Sequence, residues 1–285
     1  MKLMLGTVQF GISYGAFNAT GQVPLTQVSD MLDRAAGAGI TMLDTARAYG
    51  TSEAVLARAG APTRFEIVSK CPDLRAETDP VAALKAAFDA SCAALGVSRL
   101  YGYLLHNAED LSRDGIWQTL CALRDEGRVG RIGVSGYEAE AVADLCVRFP
   151  LTLVQLPANV LDPWYDHATA LPEGVEVHVR SAFLQGFLLG NPTALPPHLA
   201  PWRATLEQFR AEAAAQGLTP VQGALAPLLA SPAIARVAVG ADTPAQLDDI
   251  LQAVQALENR PAPAFGPFEG VTKALTDPRQ WRPTP

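Results

Sequence analysis

In the stretch FEIVSKCPDLRAETDPVAALKAAFDASCAALGVSRLYGYLLH, Phe65–His106, a short apolar run (Phe65–Lys70) leads into a segment with apolar residues three and four apart (Pro80–Leu95). A second short run, Gly102–His106, follows. Side chains repeat every two residues along a strand and every 3.6 along a helix, so the stretch reads as strand, covering helix, strand. The same alternation continues on both sides. Further strands are predicted at Leu3–Gln9, Thr41–Asp44, Ile132–Ser135, Leu153–Leu156, Val175–Ser181 and Val237–Gly240, and further helices at Gln27–Ala38, Gly115–Glu126 and Glu138–Phe149. Eight strands, each followed by a helix, give an α/β chain with a parallel sheet. An open doubly wound sheet normally carries a glycine-rich phosphate loop after an early strand, and neither GxGxxG nor a Walker pattern occurs. The expected fold class is therefore α/β, a (β/α)8 TIM barrel, as one domain over residues 1–285. The Pro-rich piece Asn191–Pro201 and the tail Arg260–Pro285 are expected as ordered loops.

The composition suits that architecture. Of 285 residues, 49% are hydrophobic and 18% charged, enough to fill a large core and too little charge for disorder. A formal net charge of -7, without acidic blocks, offers no basic surface for a phosphate backbone, so no nucleic-acid partner is expected. No apolar run is long enough to span a bilayer, and MKLMLGTVQFG is too short for a signal core plus cleavage site, so the expected location is cytoplasmic and no membrane partner is expected. Cys71, Cys92, Cys121 and Cys146 lie far apart and read as buried thiols in a reducing compartment. Asn18-Ala19-Thr20 matches a glycosylation sequon but reads as a turn. His167, His178 and His198 have no metal-site spacing and are expected as surface or loop residues, and no metal is expected.

Barrel enzymes carry their chemistry at the C-terminal ends of the strands. Here those ends are polar: Asp44, Lys70, His106, Ser135, Gln155 and Ser181. Hydride addition to a carbonyl builds negative charge on oxygen, which needs a proton donor and a stabilising group. Tyr49 and His106 are the candidates for those groups. An adjacent ammonium, Lys70, is expected to pull the Tyr49 phenol down from its usual pKa, and Asp44 on the neighbouring strand end is its counter-ion. Taken singly, Asp44 reads as a helix cap, Lys70 as a snorkelling side chain, Tyr49 as packing and His106 as a loop histidine. Their order on three successive strand ends is what points to catalysis.

The chain resembles the aldo-keto reductase superfamily. LDTARAYGTSE (Leu43–Glu53) is similar to that family's signature around its Asp and Tyr, IVSK supplies its Lys and YLLH its His. LRDEGRVGRIGVSGY (Leu123–Tyr137), VQLPAN (Val154–Asn159) and VGADTPAQL (Val239–Leu247) resemble its fifth, sixth and eighth strand regions. The resemblance implies an oxidoreductase that reduces an aldehyde or ketone, a sugar or another small polar carbonyl, with Asp44, Tyr49, Lys70 and His106 catalytic. It also implies that Ser135 and Gln155 hold the nicotinamide carboxamide and that Arg180 stands where a ring-stacking residue, often Tyr, is usual. Ser181, Leu184, Gly240, Thr243 and Gln246 would then contact the rest of the cofactor. Gly136 follows Ser135 where the family commonly has Asn, which removes one amide contact. The expected cofactor is NADP(H), the superfamily's usual one, with NAD(H) the alternative because Asp242 stands where a basic residue often binds the 2′-phosphate.

Tyr14, Phe17, Trp164 and Tyr165 are expected to wall the substrate pocket, with Asn18 and Asn159 adding hydrogen bonds. The expected partner is a small-molecule carbonyl substrate, and the expected assembly a monomer or weak homo-oligomer. Two other readings use the same residues. One is a barrel enzyme forming a Schiff base on Lys70. The other is a non-catalytic nicotinamide-binding redox sensor that regulates a partner protein.

Overall fold

The computed structural model describes residues 1–167 and 171–281. In chain order the elements are β1 (Leu3–Gly6), α1 (Val8–Gly11), α2 (Leu25–Gly37), β2 (Met42–Asp44), α3 (Ser52–Arg58), β3 (Glu66–Cys71), α4 (Pro80–Leu95), β4 (Leu100–Leu105) and α5 (Ile116–Asp125). They continue with β5 (Val129–Ser135), α6 (Ala139–Arg148), β6 (Leu153–Pro157), β7 (Glu176–Arg180), α7 (Arg203–Ala215), α8 (Pro220–Ala230), β8 (Arg236–Val239), α9 (Pro244–Ala256) and α10 (Lys273–Thr276). The strands pair in sequence order, all parallel, and β8 closes on β1. The expected (β/α)8 barrel is thus the fold, and each predicted strand and helix lies within a few residues of an observed one.

Helix ends follow local chemistry. The Asp79 carboxylate accepts from the Ala82 N–H at 2.9 Å, Pro80 opens α4 and Gly96 ends it in a left-handed conformation. Thr219 and Gln222 form a reciprocal capping box on α8.

Three expectations fail. Gln9 is not in a strand, because the Thr7 N–H and hydroxyl both donate to the Asp44 carbonyl and the Phe10 N–H closes back on Thr7, turning the chain into α1. The rule of a helix after every strand also breaks: among the described residues only a 3-10 turn, Trp164–His167, lies between β6 and β7, in a segment holding Pro163 and Pro172. Two helices instead separate β7 from β8. His178 is no surface histidine; it is buried in β7, with Nε2 2.7 Å from Glu176 Oε1. His198 packs against Trp281, while the side chain of His167 lies outside the described residues.

Cys71, Cys92 and Cys146 are buried as free thiols, and Cys121 is half-buried. The Pro-rich piece forms short 3-10 turns, and the tail carries α10 and a turn through Gln280, so both are ordered as described; residues 282–285 lie outside the described residues. Asn18 Oδ1 accepts from the Thr20 and Gly21 N–H groups, the expected turn. No helix among the described residues is long and apolar enough to cross a membrane.

Candidate active site

Because successive strand residues face opposite ways, one inward layer fixes the next. Met4, Met42, Val68, Leu104 and Leu153 form a closed apolar plug, with Ala238 packed on it. Two residues further along, on the same strands or just past their ends, stand Gly6, Asp44, Lys70, His106, Gln155 and Gly240. The polar layer therefore rests on an apolar floor that shuts water out from below.

Lys70 has no exposed surface. Its Nζ donates to Asp44 Oδ1 at 2.6 Å and the Thr45 carbonyl at 2.9 Å, and it lies 3.5 Å from the Tyr49 hydroxyl. These are three acceptors for the three N–H bonds of an ammonium. Gln155 Nε2 donates to the same Asp44 Oδ1 at 2.7 Å. Burial lowers the Lys70 pKa from the ordinary lysine value, and the Asp44 charge and hydrogen bond oppose that. The Tyr49 and His106 rings meet edge to face with centroids 5.9 Å apart.

One electrostatic expectation is corrected. The Tyr49 phenol is raised well above its usual value, first by loss of hydration and then by the Asp44 charge. The Lys70 ammonium is committed to Asp44 at 2.6 Å, and its longer 3.5 Å reach to Tyr49 does not offset this. Burial, then the Lys70 and Arg180 charges, push His106 down to about 4, so its imidazole is neutral at pH 7.

Above this layer opens a cavity of about 730 Å³, within the range of small-molecule and cofactor sites. Its described lining includes Tyr49, His106, Tyr14, Phe17, Arg180, Ser181, Gly240 and Gln246, so these expected site residues converge. Ser135 and Gln155, cross-strand partners on β5 and β6, are buried and do not reach that lining, although among the described residues Gln155 Oε1 has no hydrogen-bond partner. The strand-seven loop lining the cavity runs through left-handed backbone at Ser181 (φ 64), Leu184 (φ 47) and Gln185 (φ 51). Such outliers cost about 1–3 kcal/mol each and cluster at ligand clamps and active sites.

Other expected residues stand elsewhere. Leu184 is fully buried in the core. Thr243 caps α9, accepting from the Gln246 N–H at 3.2 Å, and Gln246 Oε1 accepts from the Asp242 N–H at 2.7 Å. Trp164 and Tyr165 do not wall the cavity: the Trp164 indole donates to the Pro157 carbonyl at 2.7 Å, and Tyr165 is buried beside it. Asn159 is buried and holds its own turn through the Leu161 N–H. Asn18 does act at the cavity wall, its Nδ2 donating to Asp242 Oδ1 at 3.1 Å and tying the loop after α1 to the loop after β8.

Sequence reasoning missed Gln9, Tyr137, Gln185 and Asp249 in the lining. Tyr137 ends the strand-five segment LRDEGRVGRIGVSGY, whereas the apolar pattern puts Gln9 in the first strand. Gly11 has a positional reason: a Cβ there would stand 1.7 Å from the Tyr49 carbonyl oxygen, so only glycine lets α1 press against the loop that carries Tyr49. Gly136 is excluded from carrying an amide by Val142, whose Cγ2 lies 2.3 Å from where its Cβ would be.

The model of the Aldo/keto reductase family matches residues 2–259. Uncharacterized oxidoreductases of Mycobacterium bovis and Mycobacterium tuberculosis are 29% identical, over 87% of this chain and 82% of theirs. Among solved structures, the aldo-keto reductase AKR11C1 of Bacillus halodurans in its holo form superposes with a TM-score of 0.72 at 21% identity, covering 93% of this chain and 88% of that one. PA4992 of Pseudomonas aeruginosa superposes with a TM-score of 0.67 at 23% identity, covering 90% and 91%. At those identities the superpositions speak for the fold.

Proposed function

Because the chain belongs to the aldo/keto reductase family, we propose that its cavity reduces an aldehyde or ketone with a nicotinamide cofactor, Tyr49 giving the proton. Family membership and the oxidoreductase relatives support an oxidoreductase that acts on carbonyl compounds. The observation that carries the residue assignment is the chain of contacts from Asp44 through Lys70 to the Tyr49 hydroxyl, which shares the cavity wall with His106.

A carbonyl oxygen lodged between the Tyr49 hydroxyl and the neutral His106 imidazole would accept a hydrogen bond from each. As that oxygen becomes an alkoxide, Tyr49 releases its proton. A raised phenol pKa keeps Tyr49 protonated at neutral pH until a base as strong as an alkoxide forms. Lys70 then stands 3.5 Å away to steady or reprotonate the phenolate, and Asp44 opposes the loss of the Lys70 proton that burial favours. With its ammonium committed and buried, Lys70 is poorly placed for a Schiff base.

The residues present fit a nicotinamide cofactor, which when bound supplies the hydride. The unpartnered Gln155 Oε1 beneath the cavity suits a carboxamide N–H, with Ser135 beside it, and the strained Ser181–Gln185 backbone suits a clamp along the dinucleotide. Among the described residues, the lining after β8 carries Asp242 and Asp249 and no Lys or Arg. A 2′-phosphate would meet carboxylates there without charge-assisted donors, whereas a ribose hydroxyl can donate to Asp242. This lining favours NADH over the NADP(H) expected from the resemblance.

Steady-state oxidation of NADH and NADPH with a panel of aldehydes tests the assignment. Tyr49→Phe is expected to lose about 10²–10⁴-fold in rate while still enhancing NADH fluorescence on binding, and wild type is expected to prefer NADH. A Tyr49→Phe variant as fast as wild type would remove Tyr49 as the donor, and binding without any oxidation would favour the sensor reading.

A further inference from the structure

Two guanidiniums lie over the Tyr137 ring. The Arg279 Cζ is 3.3 Å from its centroid and the Arg180 Cζ is 4.3 Å from it. Their charges are met differently. Arg279 Nη2 is 2.6 Å from the Asp277 carboxylate, and Nε donates to the same group. Arg180 donates from Nη2 to the Gly136 carbonyl at 3.0 Å, and among the described residues no Asp or Glu pairs with it. Asp44, the carboxylate of the neighbouring layer, is taken by Lys70 and Gln155.

Arg180 is partly buried and lines the cavity with Tyr49 and His106. It is the single Lys or Arg in the described lining. Its field reaches the reacting groups, lowering His106 and acting against the rise at Tyr14 and Tyr49. A guanidinium presents several N–H donors in a fixed plane, and one carbonyl acceptor leaves most of them free for a planar or tetrahedral oxyanion. Tyr137 and the Gly136 carbonyl hold that plane in place, so little side-chain entropy remains to be lost on binding.

We propose that Arg180 binds an oxyanion on the substrate, so that the preferred carbonyl compound carries a carboxylate or a phosphate. This rests on the reductase reading above and narrows its substrate class. A stacking role against the nicotinamide would use the face of the guanidinium; the oxyanion role uses its edge.

The test compares matched charged and neutral aldehydes in wild type, Arg180→Gln and Arg180→Lys. One pair is 4-carboxybenzaldehyde and methyl 4-formylbenzoate, and the other is glyceraldehyde 3-phosphate and glyceraldehyde. Any effect of the substitution on cofactor binding or on turnover at large divides out of the charged-to-neutral ratio. Wild type is expected to favour at least one charged member in kcat/KM by about 10- to 100-fold, the range of a charge-assisted hydrogen-bonded pair. Whichever pair shows the ratio identifies the oxyanion. Arg180→Gln should bring the ratio near one, chiefly through KM, and Arg180→Lys should keep part of it. Equal ratios in wild type, or a ratio that survives Arg180→Gln, would overturn the proposal. Calorimetric titration of 4-carboxybenzaldehyde and its methyl ester without cofactor gives a second readout. If no aldehyde is reduced, the reductase reading fails; loss of carboxylate binding in Arg180→Gln alone then still supports the anion site, and unchanged binding rejects it.

Discussion

At the scale of single residues, the site works by assigning each buried charge a partner and leaving each neutral group its proton. Asp44 and Lys70 would each be costly alone in that layer, and together they position Tyr49. His106 is the complementary case, a base kept neutral. Its pKa falls from an ordinary 6.5 to about 4 in the folded protein. The unfolded chain then takes up a proton below about pH 6.5 that the folded chain refuses until about pH 4. The contribution is fully present above pH 6.5 and is lost as the pH falls through that window. Wild type is expected to lose about 2 kcal/mol more between pH 7.5 and pH 5 than His106→Leu does, measured by denaturant unfolding at both pH values. Parallel losses in the two proteins would show that His106 is hydrated in the fold.

Between elements, close packing decides which side chains the site can hold. The turn from β5 into α6 leaves no room at Gly136, since its Cβ would overlap Val142 of α6. Gly136→Ala is expected to cost about 1–3 kcal/mol through overpacking, seen as a lower midpoint in denaturant. Val142→Ala should remove the clash, so the double mutant should be more stable than the sum of the single changes by about 1 kcal/mol or more. Simple additivity in that cycle would mean that the strand-to-helix turn moves freely. The missing amide is therefore a packing outcome.

The whole barrel separates stability from chemistry along its axis. At the end opposite the cavity, Glu176 accepts from the Tyr101 hydroxyl at 2.7 Å, pairs with Arg131 Nε at 2.7 Å and lies 2.7 Å from His178 Nε2. Burial alone would raise its pKa, but His178, Tyr101 and Arg131 outweigh that and hold it at about 2. Glu176→Ala strips these groups of a shared partner and is expected to cost about 3 kcal/mol or more. Thermal unfolding should shift down by several degrees while kcat/KM stays within about twofold. A large loss of activity at unchanged stability would show that the two ends of the barrel are coupled.

The eight strands and the quartet Asp44, Tyr49, Lys70 and His106 were legible in the linear chain. Each depends on patterns a few residues long: short apolar runs, apolar residues three and four apart between them, and a polar residue where a run ends. Folding alone decided what those patterns could not carry. Gln155 meets Asp44 across 111 residues of sequence and Asn18 meets Asp242 across 224. Arg180 comes to rest on Tyr137 with no carboxylate partner among the described residues, the Trp164 indole turns to a backbone carbonyl, and the strand-seven loop adopts left-handed backbone at residues other than glycine. Periodicity records which face a side chain takes, but a hydrogen bond or an unpaired charge is set by which distant groups closure of the barrel brings within about 3 Å of each other.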